Sequence, residues 1–134
     1  MENIKIKNYY YLTAGILAIL FAVTHAWNGQ SVVLPKLHIE GVAVDTLTIF
    51  TYVWHIITAE NLVFGFVFIF MSFYTEGSKT RFTAWMIVTI LLVRLMVILG
   101  ITVLFDRAGL SDTLIDLIAI IVYVALIILG TREE

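Results

Sequence analysis

The chain has 134 residues, of which 61% are hydrophobic and 13% charged, and its formal net charge is -2. A mean hydropathy of +1.02 is typical of an integral membrane protein and excludes a soluble globule with a polar surface. The charge balance provides no basic patch for nucleic acid. The lack of cysteine excludes disulfides, thiolate metal sites and c-type haem attachment.

Four apolar stretches, at 9–33, 46–74, 82–105 and 111–130, are predicted to span a bilayer. Each is near or above the roughly 20 residues that a helix needs for this. Their continuous apolar character favours helices over barrel strands, and the short connections favour antiparallel neighbours. The predicted fold is therefore an all-α integral membrane protein of one domain, 1–134, with four transmembrane helices in an up-down-up-down antiparallel bundle.

Span one is interpreted as a retained first helix rather than a cleaved signal peptide. His25 shares a helix face with Ala14, Ala18 and Asn28. Small residues at this spacing allow close helix packing, so His25 is expected to point into the bundle. Pro35 disfavours helix at the residue before it and is expected to help end the span.

Span two contains the stretch Thr51–Asn61, which places a histidine and a glutamate at membrane depth. Placing an ionisable side chain at that depth costs free energy, so each one is treated as a candidate functional residue. Thr51, His55 and Thr58 lie near one line of the helix, while Glu60 is about 140° from His55 and should face another neighbour. Asp45 is the expected N-cap of this helix.

Span three is apolar except for Arg94, which should lie at a depth similar to that of Glu60 and pair with it. A structural ion pair and a working charge pair are equally compatible with this pattern. Thr75–Arg81 is the predicted polar turn before this span. Span four carries Asp116 and Tyr123 on one face, and Ser111 or Asp112 is its expected N-cap.

Lysine and arginine set the predicted orientation, because most of those outside the spans lie on the side holding both termini. The termini are therefore expected to be cytoplasmic and the membrane to be a bacterial inner membrane. On that side lie Lys5, Lys7, Lys79, Arg81 and Arg132.

Each helix is predicted to contribute to one polar interior layer, where a bundle would hold a cofactor, ligand or ion. The layer comprises His25, Asn28, Thr51, His55, Thr58, Glu60, Arg94, Asp116 and Tyr123. The leading hypothesis is a small binding bundle, and its most concrete version is b-type haem held between His25 and His55. Asn28, Thr51 and Thr58 would complete that site. A metal bound by the two histidines and an acid is a weaker variant.

Two other function classes fit the same residues. One is a small homo-oligomeric ion or proton channel or transporter that uses Glu60, Arg94, Asp116 and Tyr123. The other is an accessory subunit of a larger membrane complex, in which the polar residues only hold the bundle together. Enzymatic activity is not favoured, because the sequence has no nucleophile turn, phosphate loop or metalloprotease motif.

Overall fold

The computed structural model describes residues 5–74 and 77–133. Its helices are α1 (Tyr9–Asn28), α2 (Leu34–Ile39), α3 (Val44–Met71), α4 (Gly77–Phe105) and α5 (Leu110–Arg132). A π-helical turn, Gly29–Val33, joins α1 and α2 into one helical path, and a 3-10 turn, Arg107–Gly109, precedes α5. Four helical paths are thus long and apolar enough to cross a membrane. The predicted all-α class is confirmed, and the protein is an integral membrane protein.

The sequence suggested that Pro35 would help to end the first span, but the helical path continues through it. The π turn directly precedes α2, and Pro35 occupies one of the first two positions of that helix, where a missing amide hydrogen costs little. The path ends instead at Ile39, and the turn that follows contains Gly41, whose φ of 75° is a conformation that glycine adopts readily. The first helical path therefore extends to Ile39 rather than to residue 33.

Other helix ends also differ from expectation. Helix α3 is preceded by Ala43, and Asp45 lies in its first turn, where its Oδ1 accepts from the Thr46 amide at 2.8 Å. Helix α5 begins before Ser111, because Asp106 accepts from the Gly109 amide at 3.0 Å and forms the preceding turn. Helix α4 begins at Gly77, within the predicted polar turn, of which 75–76 lie outside the described residues.

Helix α1 is the centre of the packing: it contacts α3 most extensively and also contacts α5, which packs on α4. Gly15 of α1 and Gly65 of α3 permit the closest approach. A Cβ added at Gly15 would lie 2.8 Å from the Gly65 carbonyl oxygen and 2.8 Å from the Ile69 amide nitrogen. Glycine pairs of this kind bring membrane helices into backbone contact. By contrast, α3 and α4 meet only locally, although they are consecutive.

The buried core occupies one end of the bundle, which we call the terminal half because Asn8 and Gly130, near the two ends of the described chain, meet there. Its buried residues repeat every three or four positions, as expected of helix faces that pack together. They include Tyr11, Ala14, Ala18, Phe64, Phe68, Ala84, Val88, Leu91, Tyr123 and Ile127. The opposite end, which we call the loop half, comprises 21–61 and 92–120 and has few buried side chains. The helices are thus closely packed at one end and bury few side chains at the other.

Polar contacts also close the terminal half. Asn8 caps α1 by accepting from the Tyr11 amide at 3.0 Å, and its Nδ2 donates to the Gly130 carbonyl oxygen at 2.8 Å. The Asn8 amide donates to the Ser72 carbonyl oxygen at 3.2 Å. One buried asparagine therefore links the beginning of α1 to the ends of α3 and α5.

Candidate functional site

A cavity of about 630 Å³ lies among all four spans in the loop half. Its most buried lining residues are Asn61, Leu91 and Tyr123, which form a floor above the terminal half. Thr24, Asn28 and Asp116 line it as well and are exposed, so they mark its mouth. The cavity is therefore closed towards the terminal half, and its exposed lining residues, Val97 included, lie in the loop half.

Arg94 of α4 connects this helix to α3 at the side of the cavity. Its guanidinium donates through Nη2 to the Glu60 carboxylate and through Nη1 to Asn61 Oδ1 at 3.2 Å. The Arg94 and Glu60 side chains are only 18% and 33% exposed, so this ion pair is largely withdrawn from solvent. It neutralises the Arg94 charge beside the cavity and provides a link between two helices that otherwise barely touch.

His25 is held at the cavity wall by Trp54. The two rings stack with centroids 4.3 Å apart and planes within 5°, and Trp54 Nε1 donates to the His25 carbonyl oxygen at 2.8 Å. Gly29 makes room for the indole, because a Cβ there would overlap the Trp54 ring. His25 Nε2 is buried and has no hydrogen-bond partner among the described residues. Its ring orientation is thus fixed while one nitrogen stays available.

Tyr123 marks the boundary between the two halves. Its ring meets Phe21 edge-on at 5.7 Å and Phe68 edge-on at 6.3 Å, and the residue is 2% exposed. Within 5–74 and 77–133, nothing forms a hydrogen bond with its hydroxyl group. Buried polar atoms normally have a hydrogen-bond partner. A molecule bound in the cavity could supply the hydrogen bond that the Tyr123 hydroxyl group lacks.

His55 lies in a different place. It lines a second groove of about 630 Å³ on the outer face of α3, together with Thr51 and Ala59. His55 Nε2 and Gln30 Nε2 are hydrogen-bonded at 2.6 Å. The hydroxyl of Thr51 donates to the Leu47 carbonyl oxygen, one turn back in the helix, at 2.8 Å. This group therefore faces away from the central cavity.

The nine residues predicted for one polar layer are thus divided. The cavity collects His25, Asn28, Arg94, Asp116 and Tyr123, and Glu60 is attached to it through Arg94. Thr51 and His55 line the outer groove, and Thr58 donates to the Trp54 carbonyl oxygen at 3.4 Å. Across the described part of the chain, no three His, Asp or Glu side chains are grouped so that they could hold a metal ion.

Three side chains that form hydrogen bonds with predicted site residues in the described part of the chain were not themselves predicted: Gln30, Trp54 and Asn61. Asn61 follows Glu60 directly, and its amide could have been matched to Arg94 by depth. The Gln30 contact had no such signal, because the π turn that begins at Gly29 alters the angular spacing on which a helical-wheel argument depends. Comparisons with family models, curated proteins and solved structures found no match to this chain.

Proposed function

We propose that this integral membrane protein is a small binding bundle that holds a lipid-soluble ligand in the central cavity. One observation carries the proposal: Tyr123 lines the cavity floor, and its hydroxyl group is buried and unpaired among the described residues. A polar atom without a partner in a low-dielectric environment is costly, and a ligand that hydrogen-bonds to it would remove that cost.

The size and lining of the cavity support the same proposal. Ligand sites in proteins usually occupy about 300–1,000 Å³ and combine apolar walls with a few polar groups that fix orientation. Here the walls include Phe21, Ile57 and Leu91, and the polar groups are His25, Asn61 and Arg94. A ligand reaching this site would come from within or beside the bilayer, which favours an amphipathic molecule.

A b-type haem is the most concrete cofactor that we propose for this bundle. His25 Nε2 would be the ligand from the cavity side, because it is unpaired among the described residues and the ring is held by Trp54. The second proposed ligand, His55, is bonded to Gln30 on the outer groove and would have to turn from it. We expect haem-loaded protein to lose its Soret band in His25→Ala. A protein without such a band after haem is added would exclude this cofactor.

The binding proposal can be tested by filling the cavity. Ala119 lines it, whereas Val122, on the same helix, is exposed and does not. Ligands that co-purify in mild detergent are identified by native mass spectrometry and then rebound to wild type, Ala119→Phe and Val122→Phe. We expect loss of binding in Ala119→Phe only. Equal binding by the two variants would place the ligand elsewhere.

A small homo-oligomeric ion or proton transporter is the second candidate. The observation that favours it is the Glu60–Arg94 pair, which links α3 and α4 where they have few other contacts. Breaking such a link would let the two helices separate. Proteoliposome flux should fall strongly in Glu60→Gln and Arg94→Gln, and unchanged flux would remove this pair from any transport mechanism.

A further inference from the structure

The charges around the cavity are not balanced. Arg94 is paired with Glu60, so its positive charge is compensated within the protein. Asp116 also lines the cavity, and none of the described residues forms a hydrogen bond or ion pair with its carboxylate. When His25 is neutral, Arg94, its partner Glu60 and Asp116 together therefore carry one uncompensated negative charge.

Asp116 lies at a depth where such a charge is costly. It is six residues after the first residue of α5, which corresponds to about 9 Å along the helix axis. A carboxylate at this depth normally pairs with another group or faces a polar cavity, and it commonly marks a ligand or ion pathway. Asp116 faces the cavity mouth but lacks a partner among residues 5–74 and 77–133.

Aromatic rings line the same cavity. Phe21, Trp54 and Tyr123 come from three different helices and contribute to its wall. Aromatic side chains offer a large apolar contact surface to the apolar body of a ligand. The cavity thus combines one unpaired carboxylate at its mouth with aromatic side chains deeper inside.

We propose that the ligand is an amphipathic organic cation, with its positive charge near Asp116 and its apolar body among the aromatic side chains. This inference rests on the proposed binding function and names the class of ligand. A neutral molecule could use the hydrogen-bonding groups of the floor, but it would leave the Asp116 charge uncompensated. An anionic group placed beside that carboxylate would be repelled, so the propionates of a b-type haem would have to lie away from Asp116.

The test uses the full chain in detergent or nanodiscs and follows the fluorescence of Trp54. Trp27 and Trp85 do not line the cavity and are replaced by phenylalanine, so that the fluorescence comes from Trp54 alone. The probes are tetraphenylphosphonium, a cation, and triphenylphosphine oxide, a neutral molecule of related shape. Each is titrated into the background protein and into the Asp116→Asn and Asp112→Asn variants. Asp112 is an exposed acid one turn earlier that does not line the cavity.

We expect the background protein to bind the cation more tightly than the neutral probe. Asp116→Asn should weaken cation binding by roughly tenfold or more while binding of the neutral probe stays within about twofold. Asp112→Asn should change neither. Cation binding that is equal in Asp116→Asn and the background, or weakened equally in both variants, would overturn the inference. If the neutral probe still binds in that case, the proposed binding function stands. Failure of both probes to bind would contradict the inference and the proposed function together.

Discussion

The two halves of the bundle use the same four helices in opposite ways. In the terminal half, small side chains bring the helices together and Asn8 joins three helix ends. In the loop half, α1 and α3 stay in contact through His25 and Trp54, whereas α3 and α4 are joined mainly through Arg94. A membrane bundle has little hydrophobic force between its helices, so close packing depends on small residues and polar links. The comparison leads us to assign stability to one half and the proposed binding site to the other.

The largest expected effect comes from separating α1 and α3 in the terminal half. Gly15→Leu would push a side chain against the Gly65 carbonyl and the Ile69 amide, which are backbone atoms and cannot rotate away. We expect a loss of about 3 kcal/mol or more in the free energy of unfolding, measured by thermal or denaturant unfolding in detergent. Gly100→Leu is the control, because a Cβ at Gly100 would have no neighbour within 4 Å. Similar losses in both variants would contradict this account of the crossing.

A somewhat smaller effect should follow from breaking the polar link of the loop half. Arg94→Gln leaves Glu60 without its cation at membrane depth and should destabilise the protein by about 2 kcal/mol. The double variant Glu60→Gln/Arg94→Gln should recover much of this loss, because no lone charge remains. A double variant less stable than Arg94→Gln would show that the ion pair itself, rather than the lone charge, determines stability.

Removal of the asparagine cap should cost less again. Asn8→Ala loses the bond to the Tyr11 amide and leaves the Gly130 carbonyl oxygen without that donor, for an expected loss of about 1–2 kcal/mol. Asn28→Ala, in the exposed mouth of the cavity, should change the unfolding free energy by less than about 0.5 kcal/mol. If the two alanine variants unfold alike, the proposed contrast between the halves is wrong.

The smallest effect on stability is expected at Tyr123, where the same substitution should weaken ligand binding. Tyr123→Phe keeps the ring contacts with Phe21 and Phe68 and removes a buried hydroxyl that lacks a partner in the described part of the chain. Stability should stay equal or rise by up to about 1 kcal/mol. Affinity for the co-purified ligand should fall roughly fivefold to tenfold. Unfolding and ligand titration of the same preparation test both changes, and unaltered affinity would remove this hydroxyl from the site.

Membrane spans were predictable from sequence because the bilayer imposes one simple requirement, about 20 apolar residues for each helix. The proximity of Glu60 and Arg94 could also be inferred, since counting residues from helix ends gives depth and an arginine in hydrocarbon needs an acid. The observed end of the first span, at Ile39, could not be obtained in this way. A local π turn allowed the helical path to continue through Pro35, and apolar periodicity does not report such a turn.

Depth alone could not assign the two histidines to one site. His25 and His55 lie at comparable depths, but depth gives no information about rotation around the helix axis. In the structure, Trp54 rather than His55 stacks on His25, and His55 lies beside Gln30. Rotation depends on which side chains fit against each other, and the room that Gly29 leaves for an indole is such a contact.

The closed floor of the cavity has a kinetic consequence. Leu91 and Tyr123 are each 2% exposed, and below them the helices are in close contact. A molecule in the cavity therefore cannot leave through the terminal half unless the core separates, so it leaves through the loop half. Occupant and competitor share that side, and the lifetime of the bound state is set at the mouth, beside Asn28 and Asp116, rather than by passage through the bundle.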